Sequence, residues 1–433
     1  MQYGTCIPGI FRQAMNHRIA IVTQDLSQAG GVGTMTEFLY RVLSNSGRYQ
    51  PEIISLATSA SDHLSVHVRR PRTWLRGIQV REATWRELKY LHVGAAASEL
   101  ESQRYRPRKV LTKLLRDYDL IHFVVGSPPY ACVAMDVRNP VFLWTATTTR
   151  ADRASQMRSG SLPRRIWSLL MVPITEQYER RALKFVDTVF ALSAYTRRAV
   201  ESIEQSQKAV FAPCGVDLDL FKPATQPEGK YIVCVARFFD PRKNVRLLLD
   251  AYAILQKKAG TIPDLYLIGD PPSAKVLSHL NELGIANKVK LIGPKHGEDL
   301  AELYRNALFF VLSSNEEGLG IVILEAMASG LPVVSTACGG PATAVVQGET
   351  GLLTPIGDAG ALAEAMETLL RDPSLRGRMG SAGRRVAEKR FSITAAGKVF
   401  LDRYDSVFSD RARQPEQELI GKPSFSTLPA AES

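Results

Sequence analysis

Short apolar runs recur along this chain, each followed by a stretch with helical periodicity, and that alternation fits a parallel sheet flanked by helices better than other layered folds. The first run, Ile19-Ala20-Ile21-Val22, ends at Gln24-Asp25 and suits a strand buried on both faces. Gly30-Gly31-Val32-Gly33 follows, then a helical pattern that puts Phe38, Leu39 and Val42 on one side. Runs at 120–125, 141–144 and 188–192 repeat the strand theme, with helical stretches such as 174–185 between them. A second series opens near Lys230 with the run 231–235, a helix over 246–256, then strands at 265–269, 289–293, 308–312 and 333–334. At 433 residues the chain exceeds what one hydrophobic core organises. The expectation is an α/β protein of two Rossmann-like domains.

The loop containing Pro213-Cys214-Gly215-Val216-Asp217 and Phe221-Lys222-Pro223 is rich in Pro and Gly and is read as the interdomain hinge. The division that follows is a tail at 1–14, a first domain at 15–222, a second at 223–391, a final helix at 392–410 and a disordered tail at 411–433. Met1 to Ala14 lacks the basic segment, apolar core and cleavage site of a signal peptide. No apolar run reaches the roughly 18 residues of a membrane span. Five scattered cysteines without a CxxC pair suggest reduced thiols and no zinc site. All of the net charge of +11 lies in residues 1–222, densest between Ser61 and Asp117, while the rest balances to zero. Such a surface is either simply solvated or attracts anionic lipid headgroups or an acidic acceptor.

Two constellations could carry chemistry. In Ser314-Asn315-Glu316-Glu317-Gly318-Leu319-Gly320-Ile321-Val322-Ile323-Leu324-Glu325, two glutamates lie eight apart, one at a Gly-rich turn and one on a helix. Amides at such a helix start can hold phosphate oxygens, and the second carboxylate can accept ribose hydroxyls. Taken singly, either glutamate reads more readily as a solvated or capping residue. In Ala236-Arg237-Phe238-Phe239-Asp240-Pro241-Arg242-Lys243-Asn244, directly after a strand, Arg237 and Lys243 could meet a diphosphate.

Together these segments, with IGD at 268–270, GGPATAVVQGETGLLTP at 339–355 and PCGVDLDLF at 213–221, resemble the retaining glycosyltransferases of the glycogen-synthase-like type, family four. The resemblance covers 18–409 and implies the GT-B fold, two facing Rossmann-like domains with an interdomain cleft. It implies that Glu325 binds the nucleotide ribose and Glu317 faces the transferred sugar. The amides of Leu319, Gly320 and Ile321 would contact sugar and phosphate, Arg237 and Lys243 would neutralise the diphosphate, and Lys295 would meet the nucleobase. Gly31 matches the glycine that approaches the donor phosphates. The histidine many relatives carry at the end of the strand 141–147 is absent, with Trp144 or Ala146 in its place, and His122 reads as packing.

The implied reaction moves a hexose-like unit from a UDP-, GDP- or other nucleoside diphosphate sugar to a hydroxyl acceptor, lipid-linked or anionic. No cofactor is expected, and the Asp217-Leu218-Asp219 pair is not read as a metal site. No nucleic-acid partner is expected. The expected location is the cytoplasm, with peripheral attachment to the inner face of the cell membrane through arginines interleaved with Trp74, Leu75, Trp85, Tyr90 and Tyr105, or through the segment 164–171. A non-catalytic binding subunit, a nucleotide-sugar epimerase or a phosphorylase would share the architecture. The epimerase should show an acid/base set around the sugar and the phosphorylase a cofactor lysine, and neither is identifiable.

Overall fold

A computed structural model describes residues 16–28, 30–153, 162–205, 209–225 and 229–413. The apolar runs form two open sheets. The first contains β1 (His17–Gln24), β2 (Tyr49–Leu56), β3 (Val80–Trp85), β4 (Leu88–Val93), β5 (Leu120–Val125), β6 (Val141–Thr145), β7 (Thr188–Ala191) and β8 (Val210–Phe211), in the order β3-β4-β2-β1-β5-β6-β7-β8. The second contains β9 (Tyr231–Val235), β10 (Leu265–Ile268), β11 (Val289–Gly293), β12 (Ala307–Leu312), β13 (Val333–Thr336) and β14 (Gly351–Thr354), in the order β11-β10-β9-β12-β13-β14. That second order is the doubly wound 3-2-1-4-5-6 pattern. All six residues of β5 are buried, as a central strand covered on both faces requires.

The first sheet is not wholly parallel. β3 runs antiparallel to β4 at the edge. The two are joined through Arg86 and Glu87, whose φ angles of 45° and 68° have the sign pattern of a primed two-residue hairpin turn. This hairpin lies in the most basic stretch of the chain. Part of that basicity is internal: Arg108 is buried, donating from Nη1 to the Gly94 carbonyl at 2.8 Å and from Nη2 to the Arg104 carbonyl at 2.9 Å. Burial lowers its pKa to about 10.

The chain crosses between the sheets at two adjoining places. The Val216 amide donates to the Phe391 carbonyl at 2.7 Å, and Val216 bridges Ser392. From there the helix Ile393–Arg413 runs on, three residues beyond the expected 392–410 boundary. Its Phe400 and Tyr404 are fully buried among Phe38, Phe142, Trp144 and Phe190. Residues 1–15, with Cys6, and residues 414–433 lie outside the described residues. Cys132, Cys214, Cys234 and Cys338 are buried free thiols.

Candidate active site

Strand order in the second sheet reverses between β9 and β12, so the loops leaving their carboxyl ends part around a crevice. Both sequence constellations sit on those loops. Side-chain hydrogen bonds tie them together. Asn244, in the left-handed region at φ 42°, accepts the Leu247 amide on its Oδ1 at 3.4 Å and donates from Nδ2 to Asn315 Oδ1 at 3.1 Å. The Ser313 hydroxyl donates to the carbonyls of Lys243 and Asn244 at 3.0 and 3.1 Å.

Lys243 Nζ donates to Glu317 Oε1 at 2.6 Å, and the same oxygen accepts the Ser314 hydroxyl at 2.7 Å. Both ends of this pair are largely shielded from water. Gly320 follows at φ 81° and opens the helix Ile321–Ala328, whose first amides lack intrahelical acceptors. Glu325, a turn further on, receives the Tyr304 hydroxyl on Oε2 at 3.0 Å. Burial raises its carboxyl to about 7. Arg237 pairs with Asp240 at 3.4 Å and lies against the first domain's glycine loop: a Cβ at Gly30 would fall 2.8 Å from its guanidinium carbon. A Cβ at Gly31 would meet open space. Lys295 pairs with Asp299 at 3.7 Å.

The first domain meets these loops directly. The Ala146 carbonyl would come within 2.8 Å of a Cβ on Gly318, and it accepts the Thr196 hydroxyl at 2.7 Å. The Ala194 amide donates to Thr343 Oγ1 at 3.2 Å. Arg242 reaches across from the loop after β9, with Nη1 on Asp152 Oδ1 at 3.0 Å and Nη2 on Asp240 Oδ2 at 2.8 Å. Burial alone would raise Asp240, but its bond to Arg242 holds it below the usual carboxylate value. Burial, with Asp152 nearby, pushes Glu316 up to about 7.

Of the two residues read as standing in place of the expected histidine, Ala146 packs against Gly318 of the second domain. Trp144 points into the core, donating from Nε1 to the Ala212 carbonyl at 2.9 Å. His122 is fully buried, its Nδ1 2.6 Å from the Tyr404 hydroxyl, and burial lowers its pKa to about 3. It is neutral packing. Asp217 Oδ1 accepts the amides of Asp219 and Leu220, each at 3.0 Å, as a local cap. Sequence reasoning missed Tyr304, Asp152 and the Lys243–Glu317 pairing. No local pattern marks Tyr304 or Asp152, whereas Ser314 and Asn315 lay inside the motif already singled out.

Comparison with known proteins bears on family and fold. Residues 217–386 match the family model of glycosyl transferases group 1. The chain is 32% identical over 240 residues to a GDP-mannose-dependent alpha-(1-6)-phosphatidylinositol monomannoside mannosyltransferase of Mycolicibacterium smegmatis, covering 50% of this chain and 61% of that one. It is 33% identical over 323 residues to a D-inositol 3-phosphate glycosyltransferase of Corynebacterium diphtheriae, covering 68% and 71%. Among solved structures, sucrose-phosphate synthase from Thermosynechococcus elongatus superposes with a TM-score of 0.69 at 22% identity over 91% of this chain and 100% of that one. Anabaena Alr3699/HepE in complex with UDP and glucose superposes at 0.64 and 18% over 90% and 100%. These two share the GT-B fold with the chain.

Proposed function

Because the chain belongs to the group 1 glycosyl transferases, we propose that it moves a sugar from a nucleoside diphosphate sugar to a hydroxyl acceptor with retention at the anomeric carbon. The observation that carries this reading is the pair of tied loops at the β9/β12 crevice, which set Lys243 and Glu317 beside the open end of the helix Ile321–Ala328. Bond cleavage builds negative charge on the leaving diphosphate. Arg237, Lys243 and the amides of Leu319, Gly320 and Ile321 would offset it, an electrostatic stabilisation set in place before reaction. Glu325 would accept a ribose hydroxyl, Glu317 would face the sugar, and Lys295 would flank the base.

With two cations and a helix start on the diphosphate, no metal ion is required. The departing phosphate oxygen would take the acceptor's proton, so the alanine at 146 leaves the reaction feasible. Gly31 would leave room for both substrates, and the closed domains would keep out competing water. Relatives' names point to GDP-mannose and a lipid acceptor in one case and to an inositol phosphate in another, and the Anabaena neighbour holds UDP.

The acceptor in this reading is lipid-linked or anionic, and the protein attaches peripherally to the inner face of the cell membrane. Among the described residues no helix is long and apolar enough to cross a membrane. Trp74 and Leu75 are exposed beside Arg70, Arg72 and Arg76, and each basic residue near an anionic surface contributes about 1 kcal/mol. Incubation with UDP- and GDP-sugars, read by NMR, tests the reaction: slow release of the α-anomer is expected. Release of the β-anomer alone would overturn retention, and inertness towards the whole panel would favour a binding subunit. Salt-sensitive sedimentation with anionic vesicles is expected, and its absence would remove the membrane.

A further inference from the structure

The carboxylate of Glu325 is held from a second helix. Its Oε2 accepts the hydroxyl of Tyr304 at 3.0 Å, and Tyr304 stands near the end of the helix Gly297–Arg305, which leads into β12. Tyr304 is fully buried, its ring centre 5.9 Å from that of Phe221 in the hinge loop and 6.1 Å from that of Phe310 on β12. These contacts fix where the hydroxyl can lie. A buried phenol needs an acceptor, and the Val322 carbonyl at 3.3 Å offers one. The shorter contact to Glu325 directs the single proton to the carboxylate instead.

The groups that face Glu325 decide how well it can serve a ribose. An ionised carboxylate accepts about four hydrogen bonds, whereas a protonated one turns part of that capacity into a donor. A ribose presents two neighbouring hydroxyls, and both can donate to the ionised form. Burial works against that form and raises Glu325 to about 7. Two groups work for it, the Tyr304 hydrogen bond first and then the charge of Arg86 on the β3–β4 turn of the first domain. Arg86 is the weaker of the two, because it is exposed to screening by water, pairs with Glu37 at 3.2 Å and stacks on Trp85. The remaining titratable neighbours are thiols. Cys214 lies near Glu325 and Cys234 near Tyr304, and burial pushes both up, so they stay uncharged. Burial also pushes Tyr304 well above the usual phenol value, so it remains a donor.

Resting on the donor reading above, in which Glu325 meets the ribose, we infer that Tyr304 is a positioning residue that keeps Glu325 an acceptor and so makes the crevice selective for ribonucleotides. The test is calorimetry on the full chain with UDP and GDP, each beside its 2′,3′-dideoxy counterpart, from about pH 5.5 to about pH 9. The ratio within a pair cancels titration of the phosphates and of every protein group that does not meet the ribose. In the parent, preference for the ribonucleotide should climb through about pH 7 as Glu325 loses its proton. Tyr304→Phe should move that climb up by about one pH unit or more, since a hydrogen bond to a charged group is among the stronger ones. Arg86→Met should move it up by less. Glu325→Gln should flatten the profile, and adding Tyr304→Phe to it should leave the ratio where it is. A Tyr304→Phe profile with the parent's midpoint, a preference lowered equally at every pH, or a larger shift from Arg86→Met than from Tyr304→Phe would overturn the inference. A parent with no preference for either ribonucleotide at any pH would instead remove Glu325 from the ribose, and the inference with it.

Discussion

Lys243 is paired with Glu317, so its positive charge is held in place for the negative charges that a diphosphate would bring. Removing it has two effects. Charge-assisted contacts are worth roughly 1.5–3 kcal/mol, so Lys243→Ala should cost UDP or GDP affinity by that amount while hardly altering nucleoside affinity. It also leaves Glu317, only 9% exposed, without its counter-charge, so the variant should unfold at lower denaturant. Equal losses for diphosphate and nucleoside would remove Lys243 from the site. Glu179 gives a separate prediction. It is buried, accepts the Thr149 amide at 2.8 Å, and burial lifts its carboxyl to about 7. Between pH 4.5 and 7 the folded chain then keeps a proton that the unfolded chain has released, so this group's effect is to make stability fall as pH rises through that window. Glu179→Gln should remove about 1–3 kcal/mol of that fall. Denaturant unfolding at pH 5 and 7.5 would read it, and identical pH dependence in variant and parent would contradict it. At this scale the sequence marks the residues on contiguous motifs. Tyr304 and Asp152 reach the site from distant segments, and no spacing rule announces them.

Elements were legible where their patterns were strong. The buried runs of β1, β5 and β9 read as strands because four or more apolar residues stand between turn signals. The β3–β4 hairpin escaped because its turn is Arg86-Glu87, without the glycine or asparagine that usually supplies positive φ. Its charged residues drew attention to the surface instead. The final helix shows the opposite case, an apolar face that reads readily and needs another domain's core to explain it. Phe400 is fully buried, against Trp144 at 4.7 Å and Phe190 at 4.9 Å between ring centres. Phe400→Ala should therefore destabilise the protein by about 3–5 kcal/mol. A cost below 1 kcal/mol in urea unfolding would mean that the helix contributes little there.

On the scale of the molecule, polar links cross between the two domains, and Arg242 on Asp152 is one of them. Asp152→Asn and Arg242→Met should each loosen the closed form, raising the radius of gyration in solution scattering without nucleotide. In a double-mutant cycle their effects on stability should be non-additive by about 0.5–3 kcal/mol, as for residues in contact. Strict additivity would mean the pair is not formed. The general architecture was legible because alternation and length both point to paired doubly wound sheets. The manner of joining was not, since a helix distant in sequence closes the first core. That closure sets an order on synthesis. The first sheet leaves the ribosome long before the helix Ile393–Arg413 is made, so its Phe38, Trp144 and Phe190 must wait for Phe400 and Tyr404 to arrive. Until then the nascent first half keeps an oily notch open, and a chaperone that shelters such notches has the whole second half of translation in which to act.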